Sequence, residues 1–207
     1  MKIKIMQVGI TGGIGAGKSY ICRLFKVLGV PIYNADNSAK MLMVEDPEII
    51  DLVKSNFGAE SYFPNGYLNK KYLANQIFSS KEKLEKMNEI VHPRVKQHYD
   101  DWVKIQLLKN AYVIKEAALM FTNEQYKSLD KVIVVRAPYE DRIKRVLSRD
   151  NRPQHQIEEI IDKQRQEEEL STLADFVINN DEKHLIVPQV IELHKSFVTL
   201  NTLVTKS

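Results

Sequence analysis

A chain of 207 residues, with 30 Lys and Arg set against 27 Asp and Glu, carries a formal charge of +3 and is 43% hydrophobic. That is enough for one substantial core with a smaller inserted unit but not for two full independent domains, and so slight a basic excess suits a polyanionic ligand while falling short of a nucleic-acid footprint. The single cysteine, Cys22, excludes an internal disulfide, no signal peptide is evident, and no stretch reaches the roughly 18 apolar residues of a membrane span; a cytoplasmic protein with neither nucleic-acid nor membrane partners is the expectation.

In chain order, residues 3–10 read as a buried strand, with Ile3, Ile5, Val8 and Ile10 supplying its apolar surface. The run that follows, Gly12-Gly13-Ile14-Gly15-Ala16-Gly17-Lys18-Ser19, fits the phosphate-binding P-loop pattern at every fixed position. Glycines open conformations closed to other residues, so the backbone from Gly13 through Gly17 is expected to turn amides inward as a nest for phosphate oxygens. Lys18 is the mobile point charge for the β and γ phosphates, and the Ser19 hydroxyl is the candidate ligand for a Mg²⁺ bridging them. The amides of Ser19 and Tyr20 fall where a helix begins and add the positive end of its dipole. Ile21, Leu24, Phe25 and Leu28 then recur at helical spacing, with Cys22 read as a packed thiol and Gly29 as the stop.

Four more apolar runs, at 30–33, 112–115, 131–136 and 176–178, read as strands separated by helical patterns, the alternation of a parallel α/β sheet. Between the second and third lies a stretch too long for a simple crossover. Leu84, Met87 and Val91 share one helical face there, as do Val95, Tyr99, Trp102 and Val103, while Gly58, Pro64, Asn65 and Gly66 mark a loop and Pro93 breaks or begins a helix. The expected organisation is a nucleotide-binding core of residues 1–36 and 111–207, with residues 37–110 as a helical insertion. The polar stretch around 145–170 is either a solvated face or a short lid over the phosphates. A last helix from about Pro188 presents Val190, Leu193, Phe197 and Leu200 to the sheet.

P-loop proteins divide into switches, motors and small-molecule kinases. The chain has no Asp-x-x-Gly after a strand and no Asn-Lys-x-Asp, as a GTPase requires, and it is short for a nucleic-acid motor; a kinase fold remains. Phosphoryl transfer needs a group that orients and deprotonates the acceptor hydroxyl. Asp36, just past the second strand, fits that role and fits equally an N-cap of the helix beginning Asn37-Ser38-Ala39. A kinase for another small hydroxyl acceptor, such as a nucleoside or nucleoside monophosphate, and a nucleotide-gated interaction module are the alternatives. Nothing signals an oligomer, and a monomer is the default.

Several separate stretches resemble the dephospho-coenzyme A kinase family. Residues 10–19, Ile-Thr-Gly-Gly-Ile-Gly-Ala-Gly-Lys-Ser, resemble its opening signature, and Ala35-Asp36 the second half of its Asp-Ala-Asp motif. Residues 88–94, Asn-Glu-Ile-Val-His-Pro-Arg, are similar to its Leu-Asn-x-Ile-x-His-Pro stretch; Lys144-Arg145 and Arg149 resemble its lid-proximal arginines; residues 174–180, Ala-Asp-Phe-Val-Ile-Asn-Asn, resemble its Ala-Asp-x-Val-Ile-x-Asn ending. The resemblance implies transfer of the ATP γ-phosphate, with Mg²⁺, to the ribose 3′-hydroxyl of dephospho-coenzyme A. It implies Asp36 as base, His92, Pro93 and Arg94 as acceptor contacts, and Arg145 and Arg149 closing over ATP.

The residues themselves leave alternatives beside several of these roles. Arg145 and Arg149, spaced i,i+4, can present two guanidinium groups to phosphate or pair with Asp141, Asp150 and the glutamates at 167–169. His92, preceding a proline, is expected in an extended or turn conformation, as a ligand contact or as a core or capping histidine. Glu116, at a strand end, orients Mg²⁺ waters or the acceptor, or makes a structural pair. Asn34 stands where the family often has its first aspartate, Tyr20 where a threonine is frequent, and Asn69-Lys70 where an Asp-Arg is frequent.

Overall fold

The computed structural model describes residues 5–78, 80–106, 109–121, 124–150, 152–164 and 168–204; Ile3 and Glu167, both invoked above, lie outside them. The chain forms two compact units, one of Met1–Asn34 with Ile105–Ser207, the other of Ala35–Lys104. The strands are β1 (Met6–Thr11), β2 (Ile32–Asn34), β3 (Tyr112–Glu116), β4 (Lys131–Arg136) and β5 (Phe176–Asn179); the helices are α1 (Lys18–Val27), α2 (Ala35–Glu45), α3 (Pro47–Phe57), α4 (Lys70–Phe78), α5 (Lys81–Gln106), α6 (Tyr139–Leu147), α7 (Gln154–Lys163) and α8 (Ile186–Val204).

All strand pairs of the first unit are parallel, in the order β2-β3-β1-β4-β5. Parallel strands are covered on both faces and therefore read as continuous apolar runs, and β3 is buried along its whole length. The order places β1 in the centre, with later strands on either side of it. The loop at its carboxyl end thus opens at the switch point where α/β sheets bind ligands. One face carries the main core, in which Val8, Ile10, Phe25, Ile114, Ile133 and Phe197 pack together. Phe197 of α8 meets Tyr112 and Phe176 edge-on at 5.3 and 5.4 Å.

Two details of the helical patterns differ from expectation. In α1 the buried stripe is Ile21, Cys22 and Phe25; Leu28 is exposed because the helix has already ended at Val27, and Gly29, at φ +83°, turns the chain with its amide on the Lys26 carbonyl. In α8 Val190 and Phe197 are buried while Leu200 is exposed, off the packed stripe. Helices α6 and α7 close a small cluster of their own, Ile143, Val146, Ile157 and Ile161, with Ile14 of the P-loop packed against it.

The second unit is helical around Leu42, Ile49, Val53, Phe57, Met87, Ile90 and other buried side chains, with one antiparallel bridge, Tyr62 to Leu68, across the loop that contains Gly66. Pro93 neither breaks nor begins a helix; it lies inside the 26-residue α5, and His92 is helical with it. A proline there removes one backbone hydrogen bond, but Met87, Ile90 and Val91 before it and Tyr99 and Val103 after it are all buried. Packing on both sides holds the helix through a position that local preference would end.

Arg94 is committed to this unit. Its Nε and Nη2 lie 2.9 and 2.7 Å from Asp46 Oδ2, and its Nη1 lies 2.9 Å from Glu48. Asp46 is also the N-cap of α3, accepting from the amides of Glu48 and Ile49. Burial pushes its carboxyl up, but the Arg94 hydrogen bond, the Ile49 amide and the Arg94 charge outweigh burial and hold it below the ordinary aspartate range. A carboxylate so depressed stabilises the fold above its unfolded pKa, about 4, and loses that contribution as pH falls through the folded value. Asp46→Asn is therefore expected to unfold at lower urea than the parent at pH 7, the gap closing as pH is brought below about 4. Equal midpoints at pH 7 would remove this ion pair as a stabilising element.

Candidate active site

The P-loop leaves β1 and enters α1 through positions that only glycine serves, Gly15 and Gly17 among them. Gly15 and Gly17 have φ of +77° and +98°, and a Cβ on either would collide, with the Arg142 backbone in the first case and the Asn180 side-chain nitrogen in the second. Within the loop the Ala16 amide donates to the Gly13 carbonyl at 3.2 Å, and the Tyr20 amide to the Gly17 carbonyl at 3.0 Å. The Ile14 amide donates to Gln164 Oε1 at 2.7 Å. These bonds shape the loop and engage the amides of Ile14, Ala16 and Tyr20 within the protein. The first amides of α1 have no carbonyl one turn earlier to bond, and they add the helix dipole.

Lys18 Nζ lies 2.5 Å from the Gly12 carbonyl and 3.3 Å from that of Gly13, its ammonium drawn over the loop. Next to it Glu116, buried at the end of β3, accepts from Ser19 Oγ at 3.1 Å and from Asn34 Nδ2 at 2.7 Å. Register explains the meeting: β3 pairs with both β1 and β2, and Glu116 sits opposite Ile10 and Asn34. Cys22 lies beside the same carboxylate; burial first, then the Glu116 charge and hydrogen bond, push its thiol well above the ordinary range, so it is an inert packed group.

Among the described residues no cluster of three or more His, Cys, Asp and Glu side chains is arranged to hold a metal alone. The donor set here fits a different arrangement. Mg²⁺ keeps several waters and takes one or two protein oxygens together with substrate phosphates, and a serine hydroxyl backed by a carboxylate at the head of α1 offers that.

Sequence reasoning missed the side chains that hold the loop from outside. Arg142, almost fully buried, donates from Nε to the Ile14 carbonyl at 2.9 Å, lies against Gly13, and forms an ion pair with Glu168. Asn180, beyond β5, donates from Nδ2 to the Ala16 carbonyl at 2.8 Å, and Arg145 Nη2 donates to the Asn180 carbonyl at 3.1 Å. A cavity of about 290 Å³ opens between Gly12, Gly13, Arg136 and Arg142, and a cleft of about 410 Å³ lies between Tyr20, Asn180 and the start of α8.

The two arginines expected one helical turn apart are not. Helix α6 ends at Leu147, so Arg149 lies past it, 63% exposed, with Nε on Asp150 at 3.0 Å. Arg145, in the last turn of α6, reaches the P-loop strut Asn180 and is 4.0 Å from Asp141. In the second unit Asp36 lies exposed in the first turn of α2, which begins at Ala35 and so leaves Asp36 inside the helix and not at its cap. His92 and Pro93 are exposed on α5, and Arg94 is held by Asp46 and Glu48.

A sequence profile of the family described as Dephospho-CoA kinase matches residues 6–185. Over 192 residues, 91% of each chain, the sequence is 37% identical to the dephospho-CoA kinase of Bacteroides fragilis. The solved structure of dephospho-CoA kinase from Campylobacter jejuni superimposes with a TM-score of 0.71 over 94% of this chain and 98% of that one, at 24% identity. Shikimate kinase from Acinetobacter baumannii, at 14% identity, shares the fold with a TM-score of 0.51 over 95% of each chain. No described helix is long and apolar enough to cross a membrane.

Proposed function

The chain belongs to the dephospho-coenzyme A kinase family, whose reaction is the ATP-dependent phosphorylation of dephospho-coenzyme A, and we propose that it carries the ATP γ-phosphate to the ribose 3′-hydroxyl of that acceptor. The observation that supports the residue roles best is the contact of Ser19 and Asn34 with Glu116 beside Lys18, at the carboxyl edge of the sheet. In this reading the P-loop amides and Lys18 hold the triphosphate, and Lys18 exchanges the Gly12 and Gly13 carbonyls for the β and γ oxygens. Ser19 would hold Mg²⁺ through its hydroxyl, with Glu116 orienting waters around it, and the ion would supply positive charge against the phosphates. Asp36 accepts the hydroxyl proton as the acceptor oxygen bonds phosphorus, and ADP leaves.

Residues 35–104 take the acceptor, with His92 on their exposed surface, while Arg94 contributes by fixing α3 against α5. The arm α6–α7 closes over ATP through Arg145, with Arg149 recruited from its surface pair with Asp150. The protein acts as a cytoplasmic monomer on small molecules. The test mixes it with ATP, Mg²⁺ and dephospho-coenzyme A and follows ADP and product mass. A gain of one phosphate on dephospho-coenzyme A, with none on adenosine or AMP at the same concentration, establishes reaction and acceptor; nucleotide binding without product moves the assignment to another acceptor.

A further inference from the structure

We infer that Gln164 and Arg142 are positioning residues of the triphosphate site, aiming its amides by gripping Ile14 from outside the loop. The inference rests on the reading of the P-loop as the ATP site. Gln164 caps α7, its own amide held by the Ile160 and Ile161 carbonyls, and its Oε1 takes the Ile14 amide at 2.7 Å. Arg142 Nε takes the Ile14 carbonyl at 2.9 Å, and Glu168 closes on the guanidinium. The Ile14 side chain packs into the α6–α7 cluster. Both backbone groups and the side chain of one loop residue are thus held by a single structural arm.

Peptide planarity converts that grip into direction. In a trans peptide the N–H and C=O point to opposite sides. With the Ile14 amide drawn outward to Gln164, the carbonyl of Gly13 must face inward, where it meets Lys18 Nζ at 3.3 Å and the Ala16 amide at 3.2 Å. With the Ile14 carbonyl drawn outward to Arg142, the amide of Gly15 must face the anion nest. Asn180 does the same two peptides on: it holds the Ala16 carbonyl at 2.8 Å and turns the Gly17 amide inward. A loop built on left-handed glycines is costly to order at the moment of binding; these struts order it beforehand, the arrangement in which fixed dipoles help most.

The test compares Gln164→Leu, which removes the acceptor at similar size, with Gln164→Glu, which keeps it. Calorimetry with Mg·ATP is expected to show about tenfold weaker binding for Gln164→Leu, the weight of one lost hydrogen bond, with a matching fall in kcat/KM for ATP and an unchanged KM for dephospho-coenzyme A. Gln164→Glu is expected within about threefold of the parent on each. A Gln164→Leu enzyme that melts earlier but binds ATP as the parent does would overturn the inference, as would equal damage from both variants. A parent that binds no ATP refutes the site reading instead. Amide exchange by NMR on the nucleotide-free parent needs no variant: Ile14 should exchange far more slowly than Gly15, and equal rates would overturn the grip.

Discussion

Asp36→Asn is expected to lower kcat for dephospho-coenzyme A by two to four orders of magnitude while leaving the dissociation constant of Mg·ATP within about threefold of the parent. A positioned general base contributes about 10²- to 10⁴-fold, and asparagine keeps the shape of the side chain while losing its capacity to take a proton. The position tolerates the change. Asp36 is exposed and lies in the first turn of α2, so the loss to stability is confined to the dipole interaction of one surface carboxylate, under about 1 kcal/mol. The fall should therefore appear in turnover at saturating concentrations of both substrates, and not in the active fraction or in ATP affinity. Turnover unchanged within a factor of three would remove Asp36 as the base and direct attention to Glu116, the buried carboxylate that accepts from Ser19 at the end of β3.

How the sequence came to predict part of this site and not the rest follows from the distance over which each interaction acts. The parallel strands were legible because burial on both faces demands unbroken apolar runs, and β3 and β4 are such runs. The P-loop was legible because its function fixes residue types at fixed spacing. The carboxylate Glu116 was visible as a strand-end acid, although only the pairing of β3 with β1 and β2 shows that it joins Ser19 to Asn34. The struts were not legible. Arg142, Gln164 and Asn180 act on backbone atoms 128, 150 and 164 residues away, and neither period nor propensity carries information at that range. Only Asn180 left a trace, as the end of a stretch that resembles the family pattern.

The local errors have local causes of a different kind. Pro93 carries a valid preference against helix that the buried residues on either side of it override. The shared face of Arg145 and Arg149 is lost because helix ends are the least determined feature of a sequence: with α6 stopping at Leu147, a spacing of four residues no longer means a shared face. Arg94 was an acceptor contact by resemblance alone, and its pairing was not legible because Asp46 is distant in sequence and is identified as a buried cap only in the folded unit.

Lys18→Ala is expected to lower kcat by at least 10²-fold and kcat/KM for ATP by at least 10³-fold, the larger loss reflecting weaker triphosphate binding as well as slower transfer. In the transition state for phosphoryl transfer, negative charge is spread over the equatorial oxygens and the leaving oxygen. A cation bound to the β and γ phosphates gains strength as the reaction proceeds. The loop already holds the Lys18 ammonium at the Gly12 and Gly13 carbonyls, so little reorganisation is needed to bring it onto the nucleotide. Lys18→Arg preserves the charge, yet its planar fork does not reproduce a compact ammonium seated on two carbonyls. It should recover part of the ATP affinity and little of kcat. Single-turnover measurement at saturating Mg·ATP separates the two effects, and a Lys18→Ala enzyme that transfers phosphate at the parental rate would show that the reacting phosphates lie elsewhere than on this loop.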